Sequence, residues 1–485
     1  MRGCERAALL LVGASLALHV VLAGAISLSP QEAYYWQYAR HLDLSYFDHP
    51  PLAAWTINFT TRLFGDGERA VRLAAALHSA LFALFFFLAG RRLFGARAAL
   101  LGTCAGLVTP FFALGQMVIT PDAPLLSGWA AALYFVVRAL DEERGAWLLA
   151  AGAAVGSAAL GKYTGWLLAP QILLVLLLDA RGRRLLLTPW PYAALLVAVA
   201  VFSPVLVWNA HHHWASFGFQ FGDRGAAMVA FSLGRVGRFI GLQALAMSPI
   251  LFLALLASMA VAARRWRQAS FRVCALFSLP AFAVFLCVSP FMWVKGNWPA
   301  PVWPGALLAA AALVLERPRA LGRLAAVALG VAAAGTLYIG FALTSPSLPF
   351  PARDDMTTGW RELAARVEAE RRGIPGPSFV LGCGYKPASE LAYYLPGRPE
   401  TYAQNAMGER GLQYDYWYDG ESLRGREGIL VLDRREPRNC LRRDALCHPL
   451  VPLEPLVVRR GAREVTTFDL WRCRFAAPGD RPGAG

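Results

Sequence analysis

LSPQEAYYWQYARHLDLSYFDHPP (28–51) packs Glu32, Asp43, Asp48, His41 and His49 among Tyr34, Tyr35, Trp36, Tyr38, Tyr46 and Phe47. An apolar segment runs up to it from the N-terminus, and a long series of further apolar segments follows. Acids, imidazoles and aromatic rings at the lip of a membrane span mark a reaction site at a water–lipid boundary. The rest of the chain reads as the frame that holds this loop.

That frame is a membrane protein's. Of 485 residues, 56% are hydrophobic and 16% charged, with a mean hydropathy of +0.42; a soluble domain runs nearer half apolar and about a quarter charged. The net charge of +15 does not point to nucleic acid, because the basic residues sit between apolar runs and form no patch. Positive charge retained on the cytoplasmic side of a membrane accounts for it. The N-terminal segment carries Arg2 and Arg6 and then an apolar run to Ile26. A cleaved signal peptide is one reading; the length of the run and the loop directly after it favour an uncleaved first span.

A span takes about 20 mostly apolar residues. Such windows fall near 6–26, 69–89, 97–115, 122–139, 146–160, 163–179, 190–209, 236–262, 271–289, 300–315 and 321–343, about eleven in all, and the 146–179 pair can also be one kinked element. With the N-terminus cytoplasmic, the cytoplasmic connections carry Arg91, Arg92 and Arg97; Arg138 and Arg144; Arg181, Arg183 and Arg184; Arg264, Arg265, Arg267 and Arg272; and Arg317, Arg319 and Arg323. The opposite connections are poorer, with none in 116–121, then Lys162 alone and Lys295 alone. The first outer loop has Arg40, Arg62 and Arg69 but is long. This alternation follows the positive-inside rule in register, and an odd number of spans puts the chain after Thr344 outside.

That tail is different material. SFVLGCGY (378–385), GILVLDR (428–434), PLVVRR (455–460) and TTFDLWRCRF (466–475) predict strands. TTGWRELAARVEAERR (357–372) predicts an amphipathic helix and ASELAYYL (388–395) a shorter one. The expected fold is thus a polytopic α-helical membrane domain, 1–344, with its first outer loop at 27–68, and a small extracytoplasmic α/β domain, 345–485. The closing PGDRPGAG is expected to be disordered. Cys4, Cys104, Cys274 and Cys287 lie in or beside spans, whereas Cys383, Cys440, Cys447 and Cys473 all fall in the tail. In an oxidising compartment the tail cysteines permit two disulfides; the close pair Cys440 and Cys447 is the first guess, leaving Cys383 with Cys473, and four free thiols is the alternative.

The uncommon polar motifs all fall in connections assigned to one face: Glu32 and FDHPP (47–51), ITPDAP (119–124), GKYTG (161–165), WNAHHHWASFGF (208–219) and WVKGNWPAP (293–301). Ionisable groups near membrane depth are expensive and so mark function. Glu32, Asp48 or Asp122 could serve as a general base or hold a cation, although Asp122 after Pro121 also suits a helix N-terminus. Lys162 and Lys295, with Asn209 and the His211–His213 run, could neutralise a phosphate. Tyr34, Tyr35 and Trp298 could stack on a sugar or belong to the interfacial aromatic belt. The three histidines lack a carboxylate or cysteine spaced to complete a metal site. A divalent cation is compatible with acids meeting a phosphate, but no ligand spacing demands one. The chemistry this set suits is group transfer from a lipid phosphate.

At EAYYWQYARHLDLSYFDHPPLAAW (32–55), ITPDAPL (119–125), GKYTG, PVLVWNAHHHWASF (204–217), NWPAP (297–301) and ASELAYYLPGRP (388–399) the chain resembles the GT-C type membrane glycosyltransferases. The likeness is to the bacterial branch related to protein O-mannosyltransferases, lipid A aminoarabinose transferases and the RgtA/B/C/D-like enzymes. The resemblance implies eleven to thirteen spans, an outer-face cavity, a periplasmic C-terminal domain, a polyprenyl-phosphate sugar donor, no nucleotide sugar, and inversion at the transferred sugar. It implies a bacterial inner-membrane location and a lipid A, other glycan or protein acceptor. One departure stands out: where the family's first loop has Asp-Glu before the aromatic pair, this chain has Gln31 and Glu32. Glutamine cannot be a base, so Glu32 with Asp48 assisting is the expected acid pair, with Asp48 or Asp122 alone as alternatives. Asp122 matches the family's second acidic position. Lys162, Tyr163, Asn209, His211, Lys295, Asn297 and Trp298, with Tyr34, Tyr35 and His49, are then expected to line donor phosphate and sugar. A flippase for a lipid-linked sugar predicts internal repeats and two-sided charges, which the sequence lacks; a non-catalytic binder of lipid-linked glycan is the other alternative.

Overall fold

The computed structural model describes residues 2–476 except 116, 224–229, 346, 347, 349, 353, 437–439 and 442. The closing PGDRPGAG lies outside the described residues. The chain divides into two compact units, Met1–Ala23 with Asp43–Gly340, and Gly24–Leu42 with Phe341–Gly485. The stretch 28–51 is therefore shared between them, with the change at Leu42/Asp43.

The first unit is helical. Among the described residues six helices are long and apolar enough to cross a membrane: Gly3–Leu22, Glu68–Phe94, Asp122–Asp141, Trp190–His211, Ala269–Val288 and Pro318–Thr344. Two further windows are bent pairs, Tyr163–Leu178 with Ala180–Leu186 at 111° and Leu233–Met247 with Pro249–Arg264 at 105°, which raise the number to 8 if each pair is one crossing. The windows at 97–115, 146–160 and 300–315 hold shorter apolar helices, Ala96–Val108, Trp147–Gly161 and Ala300–Glu316. Both bends have local causes. Asp179 stops one helix and caps the next, its side chain accepting from the N–H groups of Arg181 and Gly182. Ser248, at φ 67°, precedes Pro249, and a proline disfavours the helical conformation in the residue before it.

Helix Asp122–Asp141 lies at the centre of this unit, with Trp129, Leu133, Val136 and Val137 buried. It meets Trp147–Gly161 closely at Gly128, where a Cβ would stand 2.7 Å from the Ala158 nitrogen; small residues permit such approaches in membranes. The arginine-rich connections join one another through ion pairs. Arg91 reaches Glu5 at 2.6 Å, Arg92 and Arg138 share Glu142 at 2.7 and 2.8 Å, Arg184 pairs with Glu143 at 2.7 Å, Arg272 with Asp179, and Arg265 with Glu316 at 2.6 Å. These alternate connections thus form one charged layer.

The second unit carries a five-stranded sheet in the order β1 (Phe379–Gly382), β2 (Glu427–Asp433), β5 (Arg463–Phe475), β3 (Cys447–Pro452), with β4 (Leu456–Arg460) also on β5. β1 and β2 are parallel and the other pairs antiparallel. The period of two sorts the side chains. Val380, Ile429, Val431, Phe468 and Leu470 pack with helix Trp360–Arg372 on one face, and Phe379, Leu381, Leu430, Leu432 and Phe475 build the other. The four tail cysteines lie in that second cluster. They pair as Cys383–Cys440 and Cys447–Cys473, which corrects the pairing expected from spacing. Cys447 and Cys473 sit on adjacent strands with Cα atoms 5.2 Å apart, so sheet register, not sequence proximity, selects partners.

Candidate active site

Asp122 opens its helix directly after Pro121, whose φ of −54° and ψ of −18° are already helical. Its Oδ1 accepts from Lys162 Nζ at 2.7 Å and its Oδ2 from Asn297 Nδ2 at 2.6 Å. Three motifs distant in sequence, ITPDAP, GKYTG and NWPAP, thus meet on one carboxylate. The glycines of GKYTG allow it: a Cβ on Gly161 would stand 2.7 Å from the Leu125 nitrogen, and one on Gly165 2.4 Å from the Ala159 nitrogen. Asp122 is 7% and Lys162 9% exposed. Asp122 and Asn297 line a cavity of about 250 Å³ together with His78, Ser79, Phe82 and Thr120.

Tyr163, the next residue, gathers a second group. Its hydroxyl lies 2.6 Å from Ser216 Oγ, near Asn209 and in the field of the Asp48 charge. Asp48 is 5% exposed, and its carboxylate is 3.9 Å from His49 Nε2. The loop carrying it is fixed on both sides. Gln220 Nε2 donates to the Asp48 carbonyl at 2.7 Å, and Phe47 stacks on Phe219 at 4.8 Å. Upstream, Trp208 Nε1 donates to the Asp43 carboxylate at 2.8 Å and Trp55 Nε1 to the Asp43 carbonyl at 2.9 Å. Burial pushes the Tyr46 phenol well up, partly offset by its bond to the Asp43 backbone, so it remains neutral. Asn209 shapes the following turn, donating to the Val205 carbonyl and accepting from the Phe217 N–H.

The remaining expected residues are divided between the two units. His211 is exposed; its neighbour His212 is the inward ring, stacked on Trp208 at 4.0 Å. Lys295 is exposed and Trp298 half-buried, so the cation on Asp122 is Lys162. Gln243 anchors their loop, donating to the Gly296 carbonyl at 2.9 Å and accepting from Trp303 Nε1 at 3.3 Å. Glu32, Tyr34 and Tyr35 belong to the second unit. Glu32 Oε2 accepts from the Ser29 N–H at 2.9 Å and from Ser29 Oγ at 3.1 Å, while Ser29 Oγ accepts from the Glu32 N–H, a capping box on helix Pro30–Arg40. The Tyr34 ring lies 4.7 Å from Tyr385 and 4.8 Å from Tyr38, and its hydroxyl accepts from the Gln413 N–H. Tyr34 and Tyr35 are buried.

Sequence reasoning does not reach His78, held between Thr56 Oγ1 at 3.1 Å and Ser127 Oγ at 3.0 Å on the wall of the Asp122 cavity. Nor does it reach Ser216, Gln220 and Gln243, single polar residues in apolar or aromatic surroundings. The Ser29–Glu32 box was open to it, because Ser-x-x-Glu before a helix is a recognised start signal. Among the described residues no three His, Cys, Asp or Glu side chains come together in a group able to hold a metal.

A family model described as dolichyl-phosphate-mannose-protein mannosyltransferase matches residues 48–208. The lipid A galacturonosyltransferase RgtD of Rhizobium johnstonii is 28% identical over 406 residues, 80% of this chain and 81% of that one. The crystal structure of ArnT from Cupriavidus metallidurans in the apo state superposes with a TM-score of 0.67 at 20% identity, over 97% of this chain and 98% of that one. The chain has the fold of the GT-C membrane glycosyltransferases and is similar to them in sequence. ArnT bound to undecaprenyl phosphate has the same GT-C fold, with a TM-score of 0.64 over 97% of this chain and 99% of its own. The matched segment 48–208 begins at Asp48 and contains Asp122, Lys162 and Tyr163. Like its GT-C relatives it is a multi-pass membrane protein.

Proposed function

We propose that this chain moves a sugar from a polyprenyl-phosphate carrier to a lipid, polysaccharide or protein acceptor on the periplasmic face of a bacterial inner membrane. The observation that carries this is the convergence of Asp122, Lys162 and Asn297 beside a cavity, with Asp48 and Tyr163 adjoining through the Lys162–Tyr163 peptide. A buried ammonium ordered by a carboxylate and an amide is suited to a phosphate arriving at lipid depth. Undecaprenyl phosphate is the ligand in one ArnT structure, and the rhizobial relative is named for lipid A. The charged layer of arginine connections supports a cytoplasmic assignment for that face, and two disulfides in the second unit support an oxidising compartment for it.

In this reading Asp48 takes the acceptor hydroxyl's proton. The acceptor oxygen attacks the anomeric carbon as its bond to the phosphate oxygen breaks, with inversion. The phosphate leaves with the bonding electrons, and Lys162 meets its growing charge. Asn297 and Asp122 keep the ammonium in place, and Tyr163 orders the wall beside Asp48. Glu32 caps its helix.

The test uses purified protein in liposomes, given a panel of polyprenyl-phosphate sugars and a crude cell-envelope acceptor. Sugar appearing on the acceptor, with release of polyprenyl phosphate in equal amount, is the expected result. Donor that crosses the bilayer unreacted would replace this reading with a flippase, and tight donor binding without turnover would replace it with a binding protein.

A further inference from the structure

The second unit holds a polar cavity of about 330 Å³ that takes no part in the chemistry above. Its floor is arginine. Arg459 and Arg460 close β4, and Arg361 stands in the first turn of helix Trp360–Arg372. Arg460 is buried and committed, donating to Asp355 Oδ2 at 2.9 Å and to the Ser345 carbonyl at 3.1 Å. Arg361 lies over the Tyr394 ring at 5.3 Å. Arg459 is exposed and makes no ion pair among the described residues. Glu362 is the one acid on the wall, so the lining is net positive. Thr357 and Thr358 point their hydroxyls at Asp355, which fixes the rim. Gly359, at φ 96°, lets the helix begin hard against Val458, where a Cβ would stand 2.6 Å from a methyl.

The place of this cavity selects its ligand. Ala25, Ile26 and Ser27 on its rim follow the span Gly3–Leu22, and Leu343 and Thr344 are the last residues of the span Pro318–Thr344. The cavity therefore opens where the chain leaves the hydrocarbon, at headgroup depth. Directly before the rim, the same span exposes Leu337, Tyr338 and Phe341, a surface for acyl chains. Guanidinium groups bind phosphate oxygens in bidentate fashion.

We infer that this cavity binds the phosphate of a lipid headgroup. The inference rests on the membrane placement of the chain and is independent of the transfer reaction. It is tested on the detergent-purified full-length protein by native mass spectrometry, titrating phosphatidylglycerol and phosphatidylcholine. One phosphatidylglycerol should be retained in preference to phosphatidylcholine. Arg459→Glu with Arg361→Gln should weaken that binding by about tenfold or more, whereas Arg459→Lys should keep most of it. Arg459 is an exposed side chain, so Arg459→Glu alone carries the test if the double variant unfolds at a lower temperature. Inorganic phosphate in millimolar excess should not displace the lipid; displacement would overturn the lipid source in favour of a soluble phosphate ligand. Equal retention of both lipids, or unchanged binding by a folded Arg459→Glu protein, would overturn the site.

Discussion

Residues 29–41 and 43–51 are neighbours in one stretch, each with acid, imidazole and aromatic side chains, yet they fold into different units. In the first half Glu32 bonds back to Ser29, and Tyr34, Tyr35 and Trp36 are buried in the second unit. In the second half Asp48 stands beside His49 and near Tyr163, within a group drawn from two other connections. The difference lies in what claims the carboxylate. Glu32, which satisfies the N–H and hydroxyl of Ser29 at its own helix start, builds structure there. In the function proposed above, the carboxylate beside His49 and near Tyr163 is the one given to the chemistry.

The sharpest way to break this comparison outside the loop is Lys162→Met. If the Asp122–Lys162 pair organises the donor phosphate, sugar transfer by the reconstituted enzyme should fall by about 10²–10³. Removing one partner of a buried pair should also destabilise the first unit by about 3–5 kcal/mol. A Lys162→Met, Asp122→Asn double variant should recover folding, read by thermal unfolding, without recovering transfer.

Glu32→Ala tests the structural half. Loss of the capping box should lower the stability of the second unit by about 1 kcal/mol. Glu32→Gln keeps an acceptor for the Ser29 N–H, so its unfolding should stay within a few tenths of a kcal/mol of wild type.

The smallest expected effect concerns pH. Burial alone would raise the Glu400 carboxyl, but hydrogen bonds from His41 and Tyr418, with the His41 and Arg40 charges, hold it down at about 2. A depressed carboxylate stabilises the fold fully above its unfolded value of 4.5, and that contribution is lost as pH falls from there towards 2. Its side chain is 41% exposed, so screening keeps the effect below about 1 kcal/mol. Hydrogen-exchange protection of helix Pro30–Arg40, taken relative to the intrinsic exchange rate at each pH, should fall across that window in wild type and lose this dependence in Glu400→Gln.

Much of the fold was legible because its signals are local. Apolar windows mark the helices, and the arginine connections mark one face; the ion pairs among Arg92, Arg138 and Glu142 show those connections meeting. Strands β1, β2, β4 and β5 carry β-branched or aromatic runs. β3 was hidden because Pro449 and Pro452 interrupt Cys447–Pro452, as befits a strand at one end of the sheet order. Missing β3 also hid the Cys447–Cys473 bridge, which depends on its register against β5. In the site, residue types were legible at Asp122, Lys162 and Asn297, but their shared carboxylate was not, since only the fold brings the three motifs together. His78 had no signal at all: one imidazole on an apolar helix gains its meaning from Thr56 and Ser127.

The most direct measurement of the central claim is sugar transfer in liposomes by Asp48→Asn and Glu32→Gln, assayed side by side with wild type. The account predicts a loss of about a hundredfold or more in Asp48→Asn, the range of a missing general base, and near wild-type transfer in Glu32→Gln. A hundredfold loss in Glu32→Gln with Asp48→Asn still active would contradict it, and would return the base to the first half of the stretch.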